Sequence, residues 1–413
     1  MKSYETGDVT ILELLLKNKN TQAEINPADQ VVFIDIYEDF NSPSIYAEIT
    51  FDDKIGLLRD FPLIGEEEFE ITFQTPGLDY PTTYKLNTFA VSEVQQNMNG
   101  KGYSYILKCV SKEQLTQSNI NILQSYNETI DSIVNNIFSR YLQTDKILDI
   151  DPCKGTETIV FPKLSPFAAI DMVRKRAVNP KYISSSYVFF ENQEGFKFKS
   201  IEQMMEDGKA KIGTKKFYYY STTQLSKETE ALSFRSIIEY ENIGRTDLTD
   251  IIQDGGIKNR VKVFDIFTKS QKDTEFDLSK KFQSLVNIDN KNSLNITDSA
   301  IQQFANKPTF NFFIPKDSNR NENFLEDMMG AKQSFLKLFN SNYVRVYIPG
   351  DSSLKAGDVV ELNLPEASGT TEVKSDDDMV GGNYIVSRLR HNITTTGKAK
   401  HYISMDCNKV GLR

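Results

Sequence analysis

The feature that most constrains the fold of this chain is a series of segments that occurs twice in the same order. In each copy, an alternating apolar segment is followed by a loop with a glycine, a second alternating segment with a central glutamate, and a proline. The first copy comprises residues 46–51, Gly65, residues 69–73 and Pro76. The second copy comprises residues 343–348, Gly357, residues 360–364 and Pro365. Alternation that is bounded by glycine and proline predicts short antiparallel strands.

The parallel continues beyond the prolines. Residues 84–86 match residues 384–386, and in both copies a glycine turn then precedes a return strand, at residues 105–112 and 402–409. The cysteines of these return strands, Cys109 and Cys407, lie one position out of step in this comparison.

The duplication predicts a mainly β (α+β) protein with two similar antiparallel β-barrels. Short strands that close on themselves form a small barrel, which removes exposed sheet edges. If the two copies are true repeats, Gly65 and Gly357 occupy equivalent turns.

The segments between the two copies have a different character. Residues 126–142 place apolar side chains at helical spacing, and Ser165-Pro166 has the cap and first-turn residues of a second helix. Residues 187–190 and 196–198 flank Glu194-Gly195 and predict a β-hairpin. Residues 324–339 predict a further helix, interrupted at Gly330.

A chain of 413 residues is long enough for several domains. We therefore predict a first β-barrel at residues 1–114, a helical α+β linking domain at 115–210, and a second β-barrel from 211–268 and 341–413. The polar residues 269–340 are predicted to form an insertion in the second barrel.

Composition excludes several classes of protein. The net charge of −9 argues against a nucleic-acid binder, which normally carries a basic surplus. Three widely spaced cysteines indicate reduced thiols in a protein assembled in cytosol, without a disulfide framework or a zinc site. We expect no export signal and no membrane insertion, because the N-terminus is polar and no long apolar segment occurs.

Few residues are candidates for chemistry. The two histidines, His391 and His401, lie in the predicted final hairpin and could be cross-strand neighbours. Two ligands do not complete a metal site, so a polar sheet surface is the better interpretation. Lys154 lies beside Cys153 in the sequence and could lower the pKa of its thiol, as in a catalytic nucleophile. The surrounding segment has the residues of a turn, so we favour a structural turn over a nucleophile.

The charged runs favour solvated surfaces. Glu66-Glu67-Glu68 and Asp376-Asp377-Asp378 lie in predicted turns or loops, and calcium binding by the three aspartates is the alternative. Two distant acids could also meet to form a glycosidase site. Arg174-Lys175-Arg176 suits the C-terminus of the second helix, and a docking patch for an acidic partner is the alternative. We predict no catalytic, cofactor or metal site.

Three stretches of the chain resemble a known family. They are residues 33–38 continuing to 64–67, residues 165–170 of the second helix, and residues 357–362 continuing through 381–386 to Lys409. In these stretches the chain is similar to the baseplate central hub protein of contractile-tailed bacteriophages, which is related to the hub half of type VI secretion spike proteins. The motifs are β-barrel patterns and include no catalytic signature.

This resemblance implies a structural protein and not an enzyme. Each subunit would hold two tail-tube-type barrels, and a homotrimer would form a pseudo-sixfold ring. The ring would adapt a hexameric tail tube, or its initiator proteins, to a trimeric central spike. DNA would only pass through its acidic lumen, because negative walls do not hold phosphates. The expected location is the virion tail baseplate, after assembly in the host bacterial cytoplasm.

Alternatives stay open at this point. One is the hub of a contractile injection or secretion system outside phages. Another is a wall-degrading glycosidase of the tail, which requires two acids in a cleft. A third is a carbohydrate-binding β module of the tail, for which exposed tyrosines would supply the binding surface.

Overall fold

A computed structural model describes residues 4–61, 63–78, 80–97, 102–219, 234–243, 248–289, 291–292, 311–316, 324–365 and 380–412. The protein is mainly β, which confirms the predicted class. Asp376, Asp377 and Asp378 lie outside the described residues, so the expectation for this acidic run stays a prediction.

The first repeat consists of strands and one short helix. The helix α1 spans Leu57–Asp60. The strands are β1 Thr10–Lys17, β2 Glu24–Ile25, β3 Val31–Asp39, β4 Tyr46–Asp53, β5 Glu68–Gln74, β6 Thr82–Gln96 and β7 Tyr103–Val110. Their inward side chains form one core that includes Ile49, Phe51, Phe69 and Leu107.

The linking region is mixed α and β and has its own core. Its helices are α2 Lys112–Ser118, α3 Ile130–Ile137 with a π-helical turn Phe138–Leu142, α4 Pro166–Arg174 and α5 Ile201–Lys209. Its strands are β8 Ser125–Glu128, β9 Leu148–Ile150, β10 Glu157–Val160, β11 Tyr187–Asn192 and β12 Gly195–Ser200. The predicted second helix and the predicted hairpin are therefore confirmed, with Ser165 as the N-cap residue and Pro166 in the first turn.

The remaining elements belong to the second repeat and the insertion. The helices are α6 Leu248–Gln253, α7 Leu278–Lys281 and α8 Leu325–Ser341, and Phe282–Ser284 is a 3-10 turn. The strands are β13 Lys216–Tyr219, β14 Ser236–Ile237, β15 Glu239–Asn242, β16 Lys258–Asp265, β17 Gln271–Asp277, β18 Lys291–Asn292, β19 Asn311–Lys316, β20 Tyr343–Pro349, β21 Val359–Asn363, β22 Gly382–Thr394, β23 Lys400–Asn408 and β24 Gly411–Leu412.

The strand order shows the duplication directly. In the first repeat the hydrogen-bonded order is β3-β4-β7-β6-β5-β1, and in the second it is β15-β20-β23-β22-β21-β13. The last pair differs, because β1 is antiparallel to β5 whereas β13 is parallel to β21. Both repeats belong to one fourteen-stranded sheet, whose path ends at β14 and β2 among the described residues. Closure of either repeat into a barrel therefore stays a prediction.

The register of the repeats also matches in detail. Thr88 of β6 pairs with Cys109, and Val386 of β22 pairs with Cys407. Both strands have a bulge at the next residue, Phe89 or Ser387. The two cysteines are therefore in step in the structure, although the sequence comparison places them one position apart.

Gly65 and Gly357 occupy equivalent turns, as the duplication predicts. Both have a left-handed backbone, with φ of 93° and 95°. In both turns a carbonyl accepts a hydrogen bond from the bulged strand: Thr88 N donates to Glu67 O, and Val386 N donates to Asp358 O, both at 2.8 Å. Gly65 lies two residues before Glu67 and Gly357 one residue before Asp358, so the two glycines differ by one position within the turn. Glycine suits these positions because left-handed φ is unfavourable for other residues.

Strand β16 corrects one predicted boundary. The sequence places residues 258–265 in the second barrel, but β16 pairs with β17 and β19 in a separate three-stranded sheet. This sheet packs against α8, so β16 belongs structurally with the insertion.

Gly330 does not interrupt α8, contrary to the sequence prediction. A Cβ at this position would lie 2.5 Å from Asn259 Oδ1 and 2.8 Å from Phe276 Cβ. The residue is therefore glycine because α8 packs closely on the insertion sheet, and this packing overrides its low helix propensity. Of the helices in the described ranges, none combines the length and apolarity that crossing a bilayer requires.

Candidate assembly site

Strand β22 joins the two repeats. Its first residues pair with β21, from Gly382 to Ile385. Beyond its bulge, the residues from Arg388 to Thr394 pair antiparallel with β3 of the first repeat. The two repeats are therefore connected by main-chain hydrogen bonds as well as by side-chain packing.

Ion pairs line the exposed face of this β22–β3 joint. Arg390 Nε lies 2.9 Å from Asp35 Oδ1, and Asn392 Nδ2 donates to the same oxygen at 2.6 Å. Arg388 Nε lies 2.9 Å from Asp39 Oδ2. Because the arginines are about half exposed, each pair contributes only about 0.2–1 kcal/mol. Their main effect is to favour one register of the joint.

A buried polar network lies on the opposite face of the joint. Tyr84 Oη of β6 donates to Glu38 Oε1 at 3.1 Å and lies 3.2 Å from His391 Nε2. His391 Nδ1 lies 3.0 Å from His401 Nε2. All four side chains are buried. The network therefore connects strands of both repeats through the interior.

Burial sets the protonation of this network. It raises the pKa of Glu38 to about 8 and lowers the pKa of His391 to about 3. Burial, together with the neighbouring His391, also lowers the pKa of His401 well below its usual value. Burial therefore favours the uncharged forms of Glu38 and of both histidines.

The histidines correct the sequence interpretation of a polar sheet surface. Both are fully buried, and the ring of Phe73 makes edge contacts with them at centroid distances of 5.8 Å for His391 and 5.2 Å for His401. Gly350 leaves room for His401, because a Cβ there would collide with the imidazole ring. Phe73 lies more than three hundred residues away in sequence, so local patterning contains no signal for this burial.

Glu38 connects three parts of the chain. It accepts backbone hydrogen bonds at 2.8 Å from Gln193 N of the linking region and Ala356 N of the second repeat. The linking region also reaches both repeats through Glu191, which accepts from Ile45 N at 3.1 Å, and Asn192, which donates to Ala356 O at 3.0 Å. The junction of the three parts is therefore built from buried, directional hydrogen bonds.

Loop contacts add to the same junction. Ser352 N donates to Thr75 Oγ1 at 2.9 Å, and Thr82 Oγ1 donates to Ser352 O at 2.6 Å. These hydrogen bonds are buried, so a substitution that removes one partner would lower the free energy of unfolding by about 1–3 kcal/mol. The structure therefore favours a fixed relation between the repeats.

Cys153 does not have the features of a nucleophile. Burial raises its pKa to about 12, which is the opposite of the lowering expected from Lys154. The thiol lies beside Asp151 O at 3.9 Å and packs against the apolar core of the linking region. The turn interpretation of this segment is consistent with its lack of regular secondary structure.

The acidic run at the start of β5 is only partly solvated. Glu66 is exposed, but Glu67 is buried and accepts hydrogen bonds from Ile64 N at 2.8 Å and Gly65 N at 3.1 Å. Glu67 therefore fixes the turn of the first repeat, and the prediction of a solvated face is wrong for this residue.

The basic cluster lies at the end of α4, as predicted, and each of its side chains has a carboxyl group nearby. Arg174 and Lys175 pair with Asp171, at 2.5 Å and 2.7 Å, and Arg176 lies 3.3 Å from Glu157. These contacts favour the helix-terminus interpretation over a docking patch.

The acids around a polar cleft between the linking region and the second repeat are paired with lysines. Asp149 lies within 3.3 Å of both Lys197 and Lys199, and Lys355 lies 3.1 Å from Glu194. Burial opposes ionisation of Glu194, but Lys355 and Lys197 outweigh it and lower its pKa. A general acid needs a raised pKa, so the carboxyl group of Glu194 suits ion pairing better than glycoside hydrolysis. Within the described residues, no three potential ligands are grouped to hold a metal ion.

Comparison with solved structures identifies tail proteins of similar fold. The tail protein from Neisseria meningitidis MC58 has a TM-score of 0.56 and 8% identity, with 98% of each chain covered. The chain has the fold of this tail protein. The 43 kDa tail protein of prophage MuSo2 from Shewanella oneidensis has a TM-score of 0.52 and 9% identity, with 96% of this chain and 97% of that chain covered.

The likeness to these tail proteins spans nearly the whole chain, so it includes both repeats, the linking region and the insertion. A Francisella PdpA-VgrG complex gives a TM-score of 0.46 and 10% identity, with 98% of this chain and 58% of that chain covered. No family model and no curated protein sequence matches the chain.

Proposed function

We propose that the protein is the central hub of a phage baseplate, a structural subunit that works as a homotrimeric ring. The observation that carries this proposal is the duplicated strand order within one continuous sheet. A subunit with two equivalent units gives six units in a trimer. Such a ring offers similar contacts at six positions on one side and threefold contacts on the other, which are the symmetries of a tail tube and a trimeric spike.

The likeness to whole tail proteins supports this assignment, because both repeats lie inside the matched region. The partners would be the trimeric central spike and the tail-tube or tube-initiator proteins. The protein would reside in the virion tail after assembly in the host bacterial cytoplasm. It would act without catalysis, by shape and by contact.

The net charge also supports a passage for DNA through the ring. A surplus of acidic residues gives a wall that repels phosphates, so DNA would pass without being held. The rigid junction around Glu38 and His391 would keep both repeats of each subunit in a fixed orientation, which a closed ring requires.

The test is electron microscopy of the purified protein, alone and mixed with a candidate spike. The proposal predicts a threefold ring with six lobes of similar size around a central opening. Particles with two lobes in both preparations, and no ring at high protein concentration, would contradict it. Activity against bacterial cell-wall preparations should be absent, and turnover that requires two carboxyl groups would favour a glycosidase.

A further inference from the structure

We infer that the outer half of β6, from Phe89 to Gln96, is the sheet edge that joins one copy of the chain to strand β15 of a second copy. This inference rests on the proposed ring and identifies the surfaces that close it. The argument begins from the joint between the repeats inside one chain, because that joint shows how the second repeat binds the first.

Strands β6 and β22 hold the same place in the two repeats. Each pairs on one side with the return strand, β7 or β23. In each, the bulge directly follows the residue that pairs with the cysteine of the return strand. Beyond the bulge, β22 has a second neighbour on its other side, strand β3. In the described residues, β6 beyond its bulge is paired only with β7. The edge of β6 in the first repeat therefore corresponds to the edge of β22 that pairs with β3 inside the chain.

This edge of β6 is accessible and partly apolar. Phe89 and Val94 are 43% and 48% exposed, and every residue from Glu93 to Gln96 is exposed. An uncovered strand edge is a template for pairing with another chain, and natural proteins usually cover or blunt such edges. A partner strand in the assembly would cover this edge.

The correspondence between the two repeats identifies the strand that would pair with this edge of β6. Strand β3 pairs with β4 in the first repeat as β15 pairs with β20 in the second, with Asp35 opposite Glu48 and Glu241 opposite Arg345. The strand that corresponds to β3 is consequently β15. Inside one chain, the two repeats are already joined through β22 and β3. Among the described residues, β15 pairs with β20 and the outer half of β6 pairs with β7, so neither takes part in that internal joint. A head-to-tail contact between copies then connects β6 of one copy to β15 of the next, and a ring closes this series.

The new joint differs from the internal one in charge. Counting from the shared bulge, Arg388 and Arg390 of β22 correspond to Ala90 and Ser92 of β6. The joint between copies therefore lacks the cations that pair with Asp39 and Asp35 inside the chain. β6 also has an additional irregularity between Ser92 and Gln95, where Glu93 has a φ of 55°. Both features weaken this joint relative to the internal one.

The experiment is cross-linking of the double variant Ser92→Cys/Glu241→Cys with a short bis-maleimide, alone and with a candidate spike. These positions correspond to Arg390 and Asp35, which are in contact inside the chain. The matched control is Ser92→Cys/Val160→Cys, which has the same number of thiols but an exposed second site in the linking region. The inference predicts covalent trimers on a denaturing gel for the first pair and none for the control.

Light scattering on the same samples separates the possible failures. A trimer in solution without covalent trimers would overturn the inference and leave the proposed ring intact. A monomer in both preparations would overturn the ring and the inference together.

A second variant strengthens the test without cross-linking. Ser92→Arg should pair with Glu241 of the next copy and lower the concentration at which half the trimer dissociates by about two- to fivefold. Adding Glu241→Arg to the same chain should abolish this increase in trimer stability. An equal effect of Ser92→Arg in both backgrounds would contradict the inference.

Discussion

Tyr84 Oη of the first repeat lies 3.2 Å from His391 Nε2 of the second, and both side chains are buried. Through this contact, the hydrogen bonds of Glu38 extend to the pair of histidines at the centre of the joint. The repeats are therefore connected by a buried network whose burial favours uncharged side chains, and its protonation should control how stably the two repeats remain together.

His391→Gln should reduce the acid sensitivity of the fold. The folded-state pKa of His391, about 3, lies below its usual value of 6.5, so its stabilisation is present above pH 6.5 and is lost as pH falls toward 3. Over that window the free energy of unfolding of the wild type should decrease by about 1.4 kcal/mol per pH unit through this residue alone. Urea unfolding at a series of pH values measures the slope, and parallel curves for variant and wild type would contradict the prediction.

Glu38→Gln should have the opposite dependence. The folded-state pKa of Glu38, about 8, lies above its usual value of 4.5, so its stabilisation is full below pH 4.5 and is lost as pH rises through 8. The variant should therefore gain stability relative to the wild type by about 1.4 kcal/mol per pH unit between these values. Urea unfolding at pH 5, 6, 7 and 8 tests this, and Glu13→Gln at an exposed position of β1 controls for the substitution itself. A relative stability that does not change with pH would refute the assignment.

Gly330→Ala should destabilise the insertion although alanine is the better helix former. The added Cβ would collide with Asn259 and Phe276, and such overpacking costs about 1–3 kcal/mol. Asn340→Ala, at an exposed position of the same helix, should change the free energy of unfolding by less than about 0.5 kcal/mol. Thermal or urea unfolding of both variants is the measurement, and a stabilised Gly330→Ala protein would show that the close packing is absent.

The three thiols should react slowly in the folded protein. Burial raises the pKa of Cys109 and of Cys153 to about 12, so their reactive thiolate is depleted about a thousandfold, and burial also raises the pKa of Cys407 well above its usual value. A colorimetric thiol reagent should modify fewer than one thiol per chain rapidly before unfolding and all three in denaturant. Rapid reaction of Cys153 in the native protein would restore it as a candidate nucleophile.

The sequence predicts the repeated order of strands correctly but not their register. The sequence comparison aligns residues 84–86 with 384–386. The strand pairing places Leu86 opposite Phe69 and Tyr384 opposite Val360, which is a slip of two residues. Because side chains alternate with a period of two, a slip of two keeps every apolar residue on the same face. Apolar patterning therefore cannot detect it, and only the hydrogen bonds of the bulged strands fix the alignment.

Long-range contacts explain the other differences. The interior position of His391 and His401 depends on Phe73 and Tyr84 of the other repeat, and the pairing of β16 depends on strands that follow it in the chain. Local composition contains neither kind of information. Helix α4 and the hairpin of β11 and β12, in contrast, are specified by caps, turns and spacing within their own segments, and the sequence identifies them correctly.

The molar mass in solution tests the central claim most directly. Multi-angle light scattering over a range of protein concentrations, alone and with a candidate spike, distinguishes a subunit of 47.1 kDa from a closed trimer of about 141 kDa. The account predicts the trimer mass for this chain in at least the preparation that contains the spike. A monomer in both preparations at the highest concentration would contradict it, because the duplicated sheet would then have no ring to form.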